Sequence, residues 1–404
     1  MTWNVRPILS ALLRNRTGAV LVALQMALAL GVLVNAVYVV EQRVEKVSRV
    51  TGMDDENMLV IDNAGFGPNY NHEATMRADV EYLRSVPGVI GAAATSWVPL
   101  SSGGSSSGYS IKPDAKPADT KPAAYLQTDE GVIDALGVKL IAGRGFSREE
   151  ILPPTEGDSF VPQVIITKAY SKELFGTENG LGRTIYDGQN RTAVVIGIID
   201  KLQAAWVNWD DLENVLLQPR LPGYSNSNNY IVRTEPGQRD AVMRLVEEKL
   251  STSNPERMIE WVRPFEFFKK RSYRADRNTS IFLVSVTTLL LAVAALGIFG
   301  LATFNVSTRT KQIGTRRAVG ARRADIVRYF MVENWLITTA GIVAGCGFAL
   351  GVGYWLSIEY ELPRLDLYYL VGGVLALWAL GLAAVWQPAR RAAAVSPAVA
   401  TRTV

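Results

Sequence analysis

A strongly basic stretch lies between Asn305 and Asn334, where it separates two long apolar runs. This stretch contains only two acidic residues, Asp325 and Glu333, but seven basic ones. The basic residues are Arg309, Lys311, Arg316, Arg317, Arg322, Arg323 and Arg328. Guanidinium and ammonium groups bind anions, either the carboxylates of an acidic cleft on a partner protein or the phosphates of lipid headgroups. The residues themselves leave these two partners open.

Residue types that carry catalysis or bind metals are scarce. The single histidine, His72, has no cysteine or second histidine near it in the sequence, and the single cysteine, Cys346, has no disulfide partner within the chain. The adjacent carboxylates Asp210-Asp211 and Glu149-Glu150 are typical of solvated surface residues rather than of an acid–base pair. We therefore predict no catalytic residue, no metal site and no cofactor bound by this chain.

A glycine-rich segment, Gly176–Thr184, is the nearest approach to a nucleotide-binding loop. A P-loop needs a glycine, four further residues and then Gly-Lys-Ser/Thr, but here the spacing differs and Arg183 stands in the place of the lysine. The segment is interpreted as a turn, and ATP hydrolysis by this chain is not predicted. The net charge is only +4 and the basic residues cluster beside apolar runs, so a nucleic-acid partner is not predicted either.

The sequence contains four apolar runs, and each has the length of about 20 residues that a membrane-spanning helix needs. They cover residues 18–40, 280–304, 335–358 and 367–386. The basic stretch 305–334 lies between two of them, which predicts that it is cytoplasmic, since lysine and arginine beside a span resist translocation. Residues 1–17 are predicted to form an amphipathic helix at the cytoplasmic interface, and the basic tail 387–404 is also placed inside.

The segment between the first two runs, residues 41–278, contains no apolar run long enough to cross and is predicted to be a large periplasmic domain. Strand–helix–strand patterns recur at about 50–99 and 222–264, which indicates a ferredoxin-like subdomain. About 100–221 is predicted to be an inserted β-rich subdomain, in which Leu100–Lys121 forms a loop or hairpin outside the core. The predicted fold is therefore an α-helical membrane protein with four transmembrane helices and a large α+β periplasmic domain.

The spans themselves carry no ionisable side chain, which disfavours a hydrophilic path between them. Gln25 and Asn35 are predicted to form hydrogen bonds between helices, and two small-residue motifs, Gly341-x-x-x-Gly345 and Gly347-x-x-x-Gly351, fit close helix packing. In the basic stretch, Thr308–Val319 is predicted to be helical. A sharp turn at 320–323 follows, and Asp325 is predicted to start the next helix.

Three groups of residues resemble one protein family. Residues 312–326, QIGTRRAVGARRADI, resemble the signature of the FtsX-like, MacB-type ABC transporter permeases, and residues 388–398, PARRAAAVSPA, resemble the closing motif of that family. In the outer domain, Leu136-Gly137-Val138, residues 142–146 and Leu174-Phe175-Gly176 with Leu181-Gly182 resemble the periplasmic core of MacB-type proteins.

The resemblance implies a pair of four-span permeases bound to two ATPase subunits, with ATP and Mg²⁺ held by the ATPase. The stretch after the second span would be the coupling element that docks on the ATPase. Carried over by position, the docking residues are Ile313, Arg316, Arg317, Ala318, Val319, Gly320, Ala321, Arg322 and Arg323. One departure is Gln312, where the family usually has glutamate. No ATPase domain precedes the first span, so the ATPase is expected to be a separate chain.

The resemblance also implies a function, that of a non-catalytic permease subunit in a bacterial inner membrane. It would couple ATP hydrolysis to movements of the periplasmic domain that export or extract a substrate. Its partners would be a second permease, identical or paralogous, with a periplasmic adaptor and an outer-membrane channel as further candidates. Two alternatives stay open: FtsX-like signalling to a cell-wall hydrolase, and a membrane receptor or scaffold that works without an ATPase.

Overall fold

The computed structural model describes residues 16–155, 161–223, 226–359 and 365–396. The predicted interfacial helix at 1–17 falls almost wholly outside these residues, as does the tail beyond residue 396. The chain divides into two compact units, a helix unit (Met1–Ser48 with Asp276–Val404) and a sheet unit (Arg49–Ala275).

Ten helices lie within the described residues. They are α1 (Arg16–Val47), α2 (His72–Ser85), α3 (Val132–Leu136), α4 (Lys168–Phe175), α5 (Arg239–Ser253), α6 (Phe265–Ser272), α7 (Arg274–Thr308), α8 (Thr310–Ala318), α9 (Arg323–Glu359) and α10 (Leu367–Ala394). Four of them, α1, α7, α9 and α10, are long and apolar enough to cross a membrane. Each extends beyond the apolar run from which it was predicted; α10, for example, continues through Pro388 to Ala394.

Eleven strands form one sheet in the sheet unit. They are β1 (Met58–Gly65), β2 (Val89–Thr95), β3 (Ser106–Tyr109), β4 (Lys121–Thr128), β5 (Leu140–Gly143), β6 (Gln163–Thr167), β7 (Thr184–Tyr186), β8 (Thr192–Ile199), β9 (Val215–Pro219), β10 (Ser227–Thr234) and β11 (Arg257–Pro264). The strand order is β11-β1-β10-β2-β4-β9-β6-β8-β5, with β3 beside β4 and β7 beside β8.

The first lobe of the sheet unit consists of β11, β1, β10 and β2, in which all neighbours are antiparallel. Helices α2 and α5 bury the apolar side chains that recur at helical spacing, such as Met76, Val80 and Leu83 of α2. Beneath α2 the Asp79 carboxylate accepts hydrogen bonds from the Arg257 guanidinium and, at 2.7 Å, from the Tyr230 hydroxyl. All three side chains are buried, so this charge is desolvated but paired.

The second lobe is built from β3 to β9 with α4, and it has its own apolar core, whereas α3 packs against β2 and β10 of the first lobe. The prediction that residues 100–121 lie outside the core is wrong in part. Leu100 is fully buried, and Tyr109 of β3 packs in the second core with its ring 6.5 Å from that of Tyr170. The antiparallel pairing of β3 with β4 agrees with the predicted hairpin, and this pairing brings Tyr109 into the core.

The two lobes meet between β2 and β4, at a junction we call the waist. Only one residue pair, Thr95 with Thr128, joins the two strands there. Side chains supply further bonds: the Trp97 indole N–H donates to the Tyr125 carbonyl at 2.7 Å, and the Asp129 carboxylate accepts from the Ala94 N–H at 2.8 Å. Burial raises the pKa of Asp129 to about 6, although the Arg84 guanidinium favours its charged form.

Glycine decides how closely two of the long helices approach in the helix unit. A Cβ at Gly341 of α9 would lie 2.6 Å from the Ala23 carbonyl oxygen of α1, and one at Gly345 would lie 2.9 Å from the Cα of Ala27. By contrast, Gly347 and Gly351 have no neighbouring atom within 4 Å. Of the two small-residue motifs in this helix, only the first therefore packs against another helix among the described residues.

Amide side chains tie the same helices together. The Asn35 Nδ2 of α1 donates to the Ala349 carbonyl of α9 at 3.1 Å, which confirms the predicted hydrogen bond between helices. The Asn334 Nδ2 of α9 donates to the Gly381 carbonyl of α10 at 3.0 Å. Helix α7 is covered least, with 17% of its apolar window buried, so most of its surface is available to lipid or to another chain.

Candidate functional site

The site begins with the turn that joins α8 to α9. The Ala321 N–H donates to the Arg316 carbonyl at 3.0 Å and the Gly320 N–H donates to the Arg317 carbonyl at 3.1 Å. This pair of bonds is a Schellman motif, which satisfies the last carbonyls of a helix and needs a left-handed residue after its C-cap. Gly320 takes that conformation, with φ at +104°, and Val319 is the C-cap.

Helix α9 starts on the other side of this turn. The backbone N–H of Arg322 donates to the Asp325 carboxylate at 2.9 Å. Asp325 therefore lies in the first turn of the helix and reaches back to the residue before it, as the third residue of a capping box does. The predicted helix-start residue thus stabilises the start of α9 from inside the helix.

A buried ion pair fixes the other end of α8. The Arg309 Nη1 lies 3.0 and 3.1 Å from the two carboxylate oxygens of Glu333 and 3.2 Å from the Tyr329 hydroxyl. Glu333 is only 3% exposed. Because Arg309 is the N-cap of α8 and Glu333 belongs to α9, the pair holds the two helices together in surroundings where Coulomb attraction is strong.

The end of α10 provides a second support. The Arg317 Nη1 donates to the carbonyls of Ala393 at 3.1 Å and of Val395 at 2.7 Å. These are among the last carbonyls of α10, where a cation is favoured by unsatisfied acceptors and by the helix dipole. The basic stretch and the closing motif, which the sequence presents as separate features, are therefore in contact.

An apolar contact completes the support. Ile313 of α8 is 5% exposed and packs in the same core as Ile326 and Phe330 of α9 and Ala389 and Ala392 of α10. Ala321 packs against the edge of that core. Of the nine predicted docking residues, Ile313, Arg317 and Ala321 thus face the inside of the helix unit.

The remaining six predicted docking residues are exposed and lie together around the turn. They are Arg316, Ala318, Val319, Gly320, Arg322 and Arg323. We call them the apex. Val319 is 85% exposed, the highest value among the large hydrophobic residues described as exposed. The Arg316 guanidinium lies 5.1 Å from the centre of the Tyr329 ring, a cation–π distance that orients the charge.

The apex has the chemistry of a protein-binding surface. An apolar tip with guanidinium groups on either side is complementary to a small apolar socket with an acidic rim. The part of the chain that the structure describes holds no cluster of three or more histidine, cysteine or acidic residues suited to a metal ion. What the arrangement can do is bind a partner at a tip that is firmly joined to two long helices.

Sequence patterns did not indicate two of these contacts, Arg309 with Glu333 and Arg317 with the end of α10. The available signal for the first was an isolated acid, Glu333, placed directly before an apolar run. A carboxylate at such a position needs a cationic partner once it is buried. The second contact joins residues 76 and 78 positions apart, and no local pattern in the sequence predicts it.

The chain is similar to known proteins over part of its length. Residues 284–397 match a family model described as FtsX-like permease C-terminal. The macrolide export ATP-binding/permease protein MacB of Chromobacterium violaceum is 26% identical over 193 residues, 45% of this chain and 28% of that protein. MacB of Neisseria gonorrhoeae is 24% identical over 203 residues, 49% of this chain and 30% of that protein. The matched region thus spans less than a third of each of these relatives.

Two solved structures are similar to the chain at 17% sequence identity. The match to the periplasmic region of MacB from Actinobacillus actinomycetemcomitans covers 56% of this chain and 97% of that structure's chain, with a TM-score of 0.35. The extracellular domain of the ABC-type transporter YknZ from Gram-positive bacteria covers 50% of this chain and all of its own, with a TM-score of 0.30. The family match to residues 284–397 and the curated relatives, which are similar over about half of this chain, both support the MacB/FtsX-like ABC permease family.

Proposed function

We propose that the chain is the permease subunit of an ABC transporter and that its apex docks on a separate ATPase subunit. ATP and Mg²⁺ would be held by that ATPase. Membership of the permease family supports the proposal, and the observation that carries it is the apex itself. Val319 is held out at 85% exposure between flanking arginines, on a turn fixed by Arg309, Glu333 and Arg317.

The supports around the apex suit the transfer of a displacement. Helix α8 is joined to α9 by a buried ion pair and to α10 by two hydrogen bonds, so a push on the apex would move both helices. We propose that this motion reaches a periplasmic domain, the sheet unit, and drives export or extraction of a substrate there. Within the sheet unit, the antiparallel order β11-β1-β10-β2 with two crossing helices supports the ferredoxin-like subdomain.

The membrane arrangement belongs to the same proposal. The four long helices would cross the bacterial inner membrane with both termini and the apex cytoplasmic, as the basic residues beside the spans favour. The weak coverage of α7 supports a second permease, identical or paralogous, as a neighbour. An adaptor and an outer-membrane channel remain further partners to seek by co-purification.

The docking surface can be tested with Val319→Asp. The full chain, affinity-tagged and expressed in its native cells, is purified in mild detergent, and ATP hydrolysis in the eluate is measured. We expect an ATPase to accompany the wild type and the variant to retain less than about a tenth of it, because a carboxylate would be buried at the centre of the contact.

Val50→Asp is the matched control, since Val50 is 73% exposed in the sheet unit and should leave co-purification unchanged. Failure of any ATPase to follow the wild-type chain would refute the function. Equal recovery of ATPase with Val319→Asp and wild type would refute the apex as its docking surface. Binding of the apex to anionic vesicles with no ATPase bound would favour the lipid interpretation instead.

A further inference from the structure

A cleft of about 680 Å³ opens beside the waist of the sheet unit, within the size range of small-molecule sites. Its lining comes from both lobes: Gln127 from β4, Asn229 from β10, Trp261 from β11, and Phe268 and Arg271 from α6. We call it the waist cleft. Nothing in the apex or its supports involves these residues, so the cleft needs an explanation of its own.

Three polar side chains of the waist cleft, Gln127, Asn229 and Arg271, are free to bind a ligand. Within the described residues, the side-chain amides of Gln127 and Asn229 make no hydrogen bond, and the Arg271 guanidinium has neither an ion pair nor a hydrogen bond. Other cations of the same helix are engaged: Lys269 pairs with Asp55 at 2.7 Å and Lys270 with Glu266 at 2.7 Å. Arg271 is thus the cation of α6 that remains available beside the cleft.

Aromatic rings form the apolar wall of the waist cleft. The Trp261 and Phe268 rings lie 5.1 Å apart at 51°, and Phe268 is 6% exposed, so the pair is held in place. The Arg263 guanidinium lies 5.6 Å from the Trp261 ring on the same strand and further fixes it. A ring or another flat apolar body could lie on such a wall without large loss of side-chain entropy.

The charge of the lining selects the sign of a ligand. Among the described residues, no carboxylate lines the waist cleft, while Arg271 offers the planar fork of donors that matches a carboxylate. Asp62 lies between Asn229 and Trp261 in the strand register but is not part of the lining. An anion is therefore complementary to the cleft, and a cation is not.

We propose that the waist cleft binds an amphipathic small-molecule carboxylate. Its carboxylate meets Arg271, its ring lies against Trp261 and Phe268, and its other polar groups bond to Gln127 and Asn229. A ligand held in this way touches both lobes of the sheet unit at once. The site is independent of the apex and of the proposed ATPase.

A matched series of probes tests the proposal on the full chain in nanodiscs of zwitterionic lipid. Indole-3-acetate, indole-3-acetamide and tryptamine share one ring and differ in charge, and ligand-observed saturation-transfer NMR compares their binding, with empty nanodiscs subtracted. We expect the acid to bind and the amide to bind at least about tenfold more weakly, because the amide lacks the charge of the carboxylate that pairs with Arg271. The amine should give no signal, because its positive charge is repelled by the guanidinium.

Arg271→Gln should weaken binding of the acid at least about tenfold, and Arg271→Lys should give an intermediate loss because it keeps the charge without the fork. Arg274→Gln, at an exposed arginine outside the cleft, is the matched control and should bind as the wild type does. Equal binding of acid and amide, wild-type binding by Arg271→Gln, or silence of all three probes up to millimolar concentration would overturn the proposal. Because no ATPase is present, none of these outcomes bears on the proposed function.

Discussion

The buried pair of Arg309 and Glu333 allows a quantitative test of how the apex is held. The charged groups are 3.0 Å apart, which corresponds to about 5 kcal/mol of Coulomb attraction at an effective dielectric constant of 20. Desolvation offsets much of this gain, so the intact pair adds little net stability. Removing one partner is different, because it leaves the other charge buried and unpaired.

We expect Arg309→Met and Glu333→Leu each to lower the free energy of unfolding of the helix unit by about 3 kcal/mol. This is the low end for a broken buried pair, since the Arg309 side chain keeps 18% exposure. The double variant should lose less than the two single losses added together, with a coupling energy of at least about 2 kcal/mol. Unfolding by SDS in mixed micelles, followed by tryptophan fluorescence, measures all four proteins.

The pair of Lys270 and Glu266 is a suitable comparison, because it is a salt bridge between exposed side chains one helical turn apart. The same cycle there, with Lys270→Met and Glu266→Leu, should give a coupling energy of no more than about 0.5 kcal/mol. A coupling energy below about 0.5 kcal/mol at Arg309 and Glu333 would refute the reasoning that a desolvated ion pair joins α8 to α9.

Two further predictions concern packing and pH. Gly345→Val should destabilise the helix unit by several kcal/mol in a detergent melt, because the valine side chain would meet the α1 backbone. Gly347→Val should change the stability little, because the surroundings of Gly347 are open. Equal effects of the two variants would contradict this packing. Burial and the neighbouring Glu260 raise the pKa of Asp62 from 3.8 to about 6, so the folded state binds more protons between these values and stability falls as pH rises through them. Asp62→Asn should therefore stabilise the sheet unit by about 1 kcal/mol at pH 7.5, which is less than the full shift implies because the carboxyl is partly exposed and screened by solvent, and by nothing below pH 4. Urea unfolding at the two pH values would measure this difference, and no gain at pH 7.5 would contradict the shift.

Much of the secondary structure follows from the sequence, because it depends on local patterns. The α2 helix at His72–Ser85 combines an apolar face with Asn71 as N-cap, and the strand at Thr192–Ile199 is rich in β-branched residues. Long apolar runs identify the four long helices, although the runs end before the helices do. Polar residues such as Arg43 and Asp276 continue α1 and α7 and pair with each other.

The arrangement of the apex could be predicted only in part. The glycine and the basic residues mark a turn, and Gly320 does occupy a left-handed position. Which side chains face inward depends on helices far away in the sequence, so Ile313 and Arg317 could not be separated from their exposed neighbours. The burial of Glu333 could not be predicted for the same reason, because it depends on Arg309, which lies at the start of α8 and contacts Glu333 only in the folded structure.

The positions at which the chain leaves and re-enters the first lobe show how the second lobe is inserted. The second lobe leaves the first after Thr95 and returns before Asn229, and these two residues are paired neighbours on β2 and β10. Antiparallel partners lie about 5 Å apart, so the lobe enters and leaves through adjacent positions. It is joined to β2 by one strand pair and a few side chains. The segment between Thr95 and Asn229 therefore has the form of an insertion between two neighbouring strands, and it also supplies α3, which packs back on both of them.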